Sequence, residues 1–263
     1  MHPQTEEETA ARILSLLHSA VPLTVVDSTA STNDLIRAAA EHGAPSGTVI
    51  AARQQTAGRG RQGRAFYSPE RTGLYLSMLL RPDAETVGLL TPMAAVAAAE
   101  AVERCSGEAV QIKWVNDLLL RGRKICGILA ESRFSDQNAP EYSVVGIGIN
   151  LLEPQGGFPE ALRSTAGAVF PPGTDADDAF CRCTAALIDA LCEESALLRT
   201  KHYLEGYKSR LCVLGREITV CENGSERPAA ALRVDDDLRL LVRYADDGSE
   251  QWRSTGEIRI RLH

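Results

Sequence analysis

Apolar positions along the chain recur at two spacings, one near 3.6 and one of 2, and these mark helices and strands in turn. Thr5 and the acids Glu6, Glu7 and Glu8 precede Ile13, Leu14, Leu16 and Leu17. That order predicts an amphipathic helix with carboxylates at its N-terminal end. A strand is expected over 23–26. Ser31-Thr32-Asn33-Asp34, followed by Leu35, Ile36 and an alanine run that stops at Gly43, reads as a capped helix. Residues 48–52 form a short buried strand, and a glycine- and arginine-rich loop follows at 58–64. Leu74, Leu76, Met78 and Leu80 alternate with Tyr75, Ser77 and Leu79, which predicts a strand with two different faces. Thr91-Pro92 then caps and starts an alanine-rich helix that runs to about Cys105.

A strand is predicted over 110–114. Residues 118–120 turn through Arg121-Gly122 into 124–131 as a hairpin, and 142–149 is a further apolar strand. A stretch rich in Pro and Gly covers 154–173, and 177–208 has helical periodicity. The character changes near Gly215. From there 218–220, 230–234, 238–243 and 258–260 alternate between Asn-Gly, Asp-Asp and Asp-Gly turns, the pattern of a small all-β module of about 50 residues. The expected fold is α+β: a mixed β-sheet flanked by helices over 1–212, then a small β-barrel over 213–263.

Composition narrows the function classes. With 44% hydrophobic and 24% charged residues in 263, the chain has the make-up of an ordinary soluble protein. No run approaches the roughly 20 apolar residues that cross a bilayer. The acidic first ten residues lack the apolar core of a secretory signal and do not fit a transit peptide, so a cytoplasmic location is expected. The net charge of −7 and the lack of a Lys/Arg-rich helix argue against a grip on duplex DNA. About 20 residues precede the first strand, too few for a helix-turn-helix domain. Cys105, Cys126, Cys181, Cys183, Cys192, Cys212 and Cys221 are scattered and odd in number, which points to reduced thiols and not to a disulfide framework. Cys181 and Cys183 sit two apart on a helix and face different directions, so no shared metal is expected.

Two stretches carry chemistry. In Gly58-Arg59-Gly60-Arg61-Gln62-Gly63-Arg64, three glycines let the backbone approach a ligand while three arginines supply fixed positive forks. Such a loop suits a phosphate or an acyl phosphate. It also resembles a solvated loop or an RNA-binding Arg-Gly segment; its place between strands of an acidic chain counts against the latter. Lys113-Trp114-Val115-Asn116-Asp117 ends a strand, where its charges either flank a nucleotide or merely build a turn beside a solvated lysine. Lys124 enters an apolar strand and is either a snorkelling edge residue or a group pointing into a pocket.

Ser31-Thr32-Asn33, the loop QTAGRGRQGR, KWVND, GRKICGIL and VVGIGINL stand in the order and approximate spacing of the same motifs in biotin–protein ligases. From about residue 25 to 151 the chain resembles that family, and it does so faintly again at Gly256-Glu257-Ile258. The resemblance implies a fold like that of class II aminoacyl-tRNA synthetases and biotin synthetases, with an SH3-like C-terminal barrel. It implies a short form without the N-terminal DNA-binding domain. The implied activity joins biotin to ATP as biotinyl-5′-AMP and passes it to a lysine of a biotin carboxyl carrier protein domain. Mg²⁺ travels with ATP, and no protein metal site, nucleic acid or membrane is called for. A homodimer formed through a sheet edge stays open.

Residue by residue, the resemblance assigns Ser31, Thr32, Asn33 and Gln55 to the ureido ring of biotin. Arg59, Gly60, Arg61 and Lys124 fall at the reacting carboxylate and acyl phosphate. Arg59, Arg61, Arg64, Asn116 and Asn150 fall to the nucleotide, and Arg61, Lys124 and Asp117 to catalysis. Asp117 would orient or deprotonate the carrier amine, and the glycine loop would close over the adenylate. Two positions depart from the pattern: Val115 stands where a proline is usual, and Phe66 where a tryptophan is common, which weakens the case for adenine stacking there. Ser31 has an ordinary role open to it as well, capping the helix together with Asp34. A lipoate ligase or an octanoyl transferase on the same scaffold is the neighbouring reading.

Overall fold

In the computed structural model, which describes residues 5–222, 225–254 and 257–260, a seven-stranded sheet carries helices on both faces and a second, five-stranded sheet follows it. The first four residues, Asn223 and Gly224 with the turn expected there, Thr255, Gly256 and the last three residues lie outside the described residues. Helix α1 (Glu6–Leu16) starts at a capping box: the Thr5 hydroxyl accepts from the Glu8 amide while the Glu8 carboxylate accepts from the Thr5 amide. Its buried stripe is narrower than the sequence suggests. Thr9 and Ile13 face inward, whereas Leu14 and Leu16 are exposed.

Strand β1 (Leu23–Val26), helix α2 (Thr32–Glu41), strand β2 (Val49–Ala52) and strand β3 (Gly73–Leu80) follow. Next come helix α3 (Leu90–Ser106), the short strand β4 (Gln111–Lys113), β5 (Asp117–Leu120), β6 (Arg123–Phe134) and β7 (Pro140–Asn150). The sheet order is β1-β2-β3-β7-β6-β5-β4; β1 and β2 run parallel, and every other neighbouring pair is antiparallel. The expected mixed sheet is therefore present, although β4 is shorter than 110–114 because the chain turns at Trp114.

The two-faced reading of β3 has a specific outcome. All eight residues are buried, because both faces are covered. Leu74, Leu76, Met78 and Leu80 join the main core with α3, while Leu79 joins Ile36, Ala40, Ile50, Tyr142 and Val144 in a smaller core beneath α2. Antiparallel β7 has the same split: Val145, Ile147 and Ile149 face the main core, and Val144, Gly146 and Gly148 face the other way. Helix α3 is apolar on nearly every side since it lies between the sheet and α5 (Ala176–Ala196). It begins at Leu90 without a side-chain cap, so Thr91 does not cap it as expected.

The expected helix over 177–208 is two. Helix α5 ends at Ala196, a single 3₁₀ turn spans Leu198–Thr200, Lys201 takes a left-handed φ of 53°, and α6 (Tyr203–Arg210) resumes. A short helix, α4 (Glu160–Arg163), interrupts the Pro/Gly-rich stretch. Strands β8 (Glu217–Glu222), β9 (Ser225–Val234), β10 (Leu240–Tyr244), β11 (Glu250–Arg253) and β12 (Glu257–Ile260) build the second sheet, antiparallel in the order β11-β10-β9-β8-β12. Its inward residues Ile218, Val220, Ala231, Leu240 and Val242 belong to the same core as α3. No described helix is long and apolar enough to cross a membrane.

Candidate active site

The sheet face turned away from α3 carries a cleft of about 610 Å³, a size suited to a small-molecule ligand. Its floor is set by cross-strand register. Tyr75, Gly148 and Gly127 lie side by side on β3, β7 and β6, and Ser77, Gly146 and Leu129 form the next row. Glycine is required at these places by close approach. A Cβ on Gly148 would stand 2.5 Å from the Phe66 ring and one on Gly127 2.9 Å from it, while one on Gly146 would stand 2.2 Å from Asn33 Oδ1. Phe66 thus packs onto the sheet, edge-on to Tyr75 with ring centroids 6.5 Å apart.

The N-terminus of α2 forms the polar end of the cleft. Ser31 precedes the helix, but its side chain makes no capping bond; it is buried and lines the cleft with Thr32, Asn33 and Gln55. The Thr32 amide donates to Gln55 Oε1 at 2.9 Å, and the Thr32 hydroxyl lies 3.2 Å from the same oxygen. Because a backbone N–H can only donate, the Gln55 carbonyl must face α2 and its amino group the other side, towards Ser68 Oγ at 3.4 Å. Ser77, wholly buried on β3, lies within 2.7 Å of Thr32 Oγ1 and donates to Asn33 Oδ1 at 2.6 Å.

The glycine–arginine loop folds as a narrow hairpin. Phe66 donates to the Gly58 carbonyl and Gly60 to the Arg64 carbonyl, and Gln62 and Gly63 take left-handed φ of 58° and 72° at the tip. Arg59 does not extend into open space: its two terminal nitrogens each donate to one Asp34 carboxylate oxygen at 2.7 Å, a bidentate pair. Those hydrogen bonds from Arg59 hold the Asp34 carboxyl below the usual carboxylate range. Arg61 donates to Asn116 Oδ1 at 3.0 Å, and Asn116 in turn donates from its amide to the Ile128 carbonyl at 2.8 Å. Gly60, Arg61 and Arg64 all line the cleft.

Lys124 settles the choice between edge and pocket. It lines the cleft, and its ammonium lies 2.6 Å from Asp117 Oδ1. Its backbone is clamped to the opposite wall, with the Lys124 amide donating to the Thr165 carbonyl and the Gly167 amide to the Lys124 carbonyl. Asn116 and Asp117 are consecutive, so one turn at the end of β4 holds both the loop arginine and the hairpin lysine. Asn150 is the exception among the expected residues. It lies outside the cleft wall and donates to the Gly167 carbonyl at 3.1 Å, fastening the segment that carries Ser164 and Thr165.

Several contributors had no site role legible in the sequence. Asp34 and Ser77 hold site residues from behind, and the alternation Val-Gly-Ile-Gly-Ile on β7 was the available signal for a bare sheet face. Arg216 and Ile258, from the C-terminal part of the chain, also line the cleft; no motif marks Arg216, and the faint resemblance at Gly256-Glu257-Ile258 gave Ile258 no site role. Trp114 lines it too, with its indole donating to the Leu238 carbonyl at 2.9 Å. Cys126, Cys181, Cys183 and Cys212 are buried free thiols, and among the described residues no three of His, Cys, Asp or Glu gather as metal ligands.

The profile of the Biotin/lipoate A/B protein ligase family matches residues 25–150. The protein named Biotin--[acetyl-CoA-carboxylase] ligase from Mycobacterium tuberculosis is 30% identical over 232 residues, covering 84% of this chain and 82% of that one. The Bifunctional ligase/repressor BirA of Bacillus subtilis is 38% identical over 142 residues, 53% of this chain and 43% of that protein. The match therefore spans less than half the length of that relative. In fold, the chain is similar to the biotin protein ligase of Aquifex aeolicus in complex with biotin and ATP. The TM-score is 0.74 at 24% identity, over 92% of this chain and 99% of that one.

Proposed function

The chain belongs to the biotin protein ligase family, and on that premise we propose that it activates biotin with ATP and transfers it to a lysine of a biotin carboxyl carrier domain. The observation that carries this reading is the convergence of Arg61 and Lys124 on one cleft, tied to the consecutive residues Asn116 and Asp117. The far end of that cleft offers hydrogen-bond donors, so a ligand with a carbonyl at one end and anionic oxygens at the other fits its polarity. Biotin bears a cyclic urea and a carboxylate. An apolar ring would offer no acceptor to the second N–H of the Gln55 amino group, whose other N–H faces Ser68, which supports biotin over lipoate.

In the first half-reaction a biotin carboxylate oxygen attacks the α-phosphorus of ATP. The bond to the β-phosphate oxygen breaks, and pyrophosphate leaves. Two anions must meet, so the work of the protein is positioning and charge compensation by Arg61, Arg64 and Lys124, with Arg59 at the base of the loop. Mg²⁺ enters as the counter-ion of ATP and is part of that substrate. Asn116 places Arg61 at the nucleotide, and Asn150 acts at a distance by securing the 165–167 wall.

In the second half-reaction the neutral carrier amine attacks the acyl carbon of the adenylate, and AMP leaves with the bonding electrons of the C–O bond. Asp117 orients that amine or accepts its proton, and its contact with Lys124 keeps the carboxylate beside the reacting carbon. The loop at 58–64 opens to admit ligands and closes to keep water from the mixed anhydride. We divide the chain at 212/213 into a catalytic part and an SH3-like barrel, and the free thiols suit the reducing cytoplasm as its location. Biotin-dependent exchange of labelled pyrophosphate into ATP tests the first half-reaction, and labelling of an added carrier domain tests the second. Exchange that does not depend on biotin would refute the proposal.

A further inference from the structure

Glu131 on β6 is absent from the cleft wall, yet it touches two residues that form it. Its Oε2 accepts from Asn33 Nδ2 at 2.7 Å and from Arg37 Nη2 at 3.3 Å, and lies 3.6 Å from Arg59 Nη2. The position follows from strand geometry: Gly127, Leu129 and Glu131 share one face of β6, so the carboxylate emerges just past the glycine floor, opposite Val144.

The chemistry of that contact is one-directional. A carboxylate only accepts, so Asn33 must turn its amino group to Glu131 and its carbonyl to the Ser77 hydroxyl. The absence of a side chain on Gly146 gives the amide this space and nothing to spare. With those two bonds made, Asn33 retains one N–H for the cleft, on the same end as the Gln55 amino group. The end wall is thereby fixed as a donor surface. The same carboxylate, with Asp34, also holds the guanidinium at the root of the glycine loop.

We propose that Glu131 is a positioning residue: it locks the Asn33 amide as a donor to the ring carbonyl of the vitamin and registers Arg59 at the other end of the same contact. This rests on the biotin ligase reading. The test is calorimetric binding of biotin and of 2-iminobiotin to the full chain, as wild type, Glu131→Ala and Glu131→Gln. Protonated iminobiotin carries N–H donors where biotin has a carbonyl, so the ratio of the two Kd values reports which way Asn33 faces. In Glu131→Ala, biotin binding is expected to weaken about tenfold while the preference for biotin over iminobiotin shrinks. Glu131→Gln, which keeps an acceptor oxygen, is expected to recover most of the biotin affinity. An unchanged ratio in Glu131→Ala, whether affinity is kept or both ligands weaken equally, overturns the proposal. A wild-type chain that binds no biotin instead overturns the ligase reading, and this inference with it.

Discussion

Asp117 Oδ1 sits 2.6 Å from the ammonium of Lys124, and the residue before it, Asn116, accepts from Arg61 at 3.0 Å. A single turn therefore holds two cations that line the cleft, the pair proposed to meet the acyl phosphate. Removing either cation strips charge compensation from the transition state and leaves the fold, since both side chains line a cleft. Lys124→Ala and Arg61→Ala are each expected to lower biotin-dependent pyrophosphate exchange about 100-fold. Near-normal exchange in both variants would discredit the placement of the site.

The carboxylate of that turn has its own test. Asp117→Asn keeps the shape and removes the proton acceptor. Transfer from preformed biotinyl-adenylate to a carrier domain is expected to fall about 100-fold. Full transfer in this variant would remove Asp117 from the second half-reaction.

The bidentate Asp34–Arg59 pair ties the glycine loop to helix α2. Asp34→Ala is expected to speed proteolytic cleavage near Arg61 and to hasten loss of the adenylate. Biotin with ATP is expected to protect the wild-type loop; equal cleavage with and without them would show that it does not close. The pH dependence follows in sign. Asp34 has a lowered pKa, chiefly through its hydrogen bonds to Arg59, so the contribution of the pair is present above the ordinary carboxylate pKa and is lost as pH falls through the lowered one. Loop protection measured at about pH 4.5 should therefore match that at neutral pH.

The glycine floor predicts steric consequences. A methyl on Gly146 would meet Asn33 Oδ1, and one on Gly148 the Phe66 ring. Gly146→Ala and Gly148→Ala are each expected to cost about 1–3 kcal/mol in chemical denaturation. Gly146→Ala should also weaken biotin binding, because Asn33 has nowhere to retreat. Wild-type affinity there would mean that Asn33 does not touch the ligand.

A charge network outside the cleft makes a stability prediction. Arg53 is buried beneath α1, with Asp177 2.7 Å away and the Phe180 ring 4.4 Å from its guanidinium carbon. Asp177→Ala leaves that guanidinium buried with a 3.3 Å hydrogen bond to the Thr9 hydroxyl and, as its nearest carboxylate, Asp27 at 3.8 Å. The expected loss is about 3 kcal/mol by urea titration. An unchanged midpoint would show that Asp27 and the aromatic ring suffice.

Much of this was written in local pattern. Period-2 alternation placed β3, an apolar run placed β7, the glycine–arginine string marked the loop, and the small C-terminal sheet was legible from its turn residues. What escaped was what tertiary contact decides. Leu14 and Leu16 read as core but face solvent, because α1 buries only the stripe through Thr9 and Ile13. The break between α5 and α6 depends on Lys201 adopting a left-handed backbone, which its side chain does not announce. Asn150 belongs to a motif yet serves the wall from outside. Arg216 and Ile258 come to the cleft from a segment whose sequence says nothing of a ligand.

The hydrogen bond from Trp114 to the Leu238 carbonyl has a mechanical meaning. Trp114 is two residues from Asn116 and three from Asp117, and the Tyr207 hydroxyl donates to the carbonyl of the intervening Val115 at 3.0 Å. The small sheet and α6 thus act as a bracket on the turn from which both cations hang. Loosening that bracket would detune the chemistry without a single reacting group being altered.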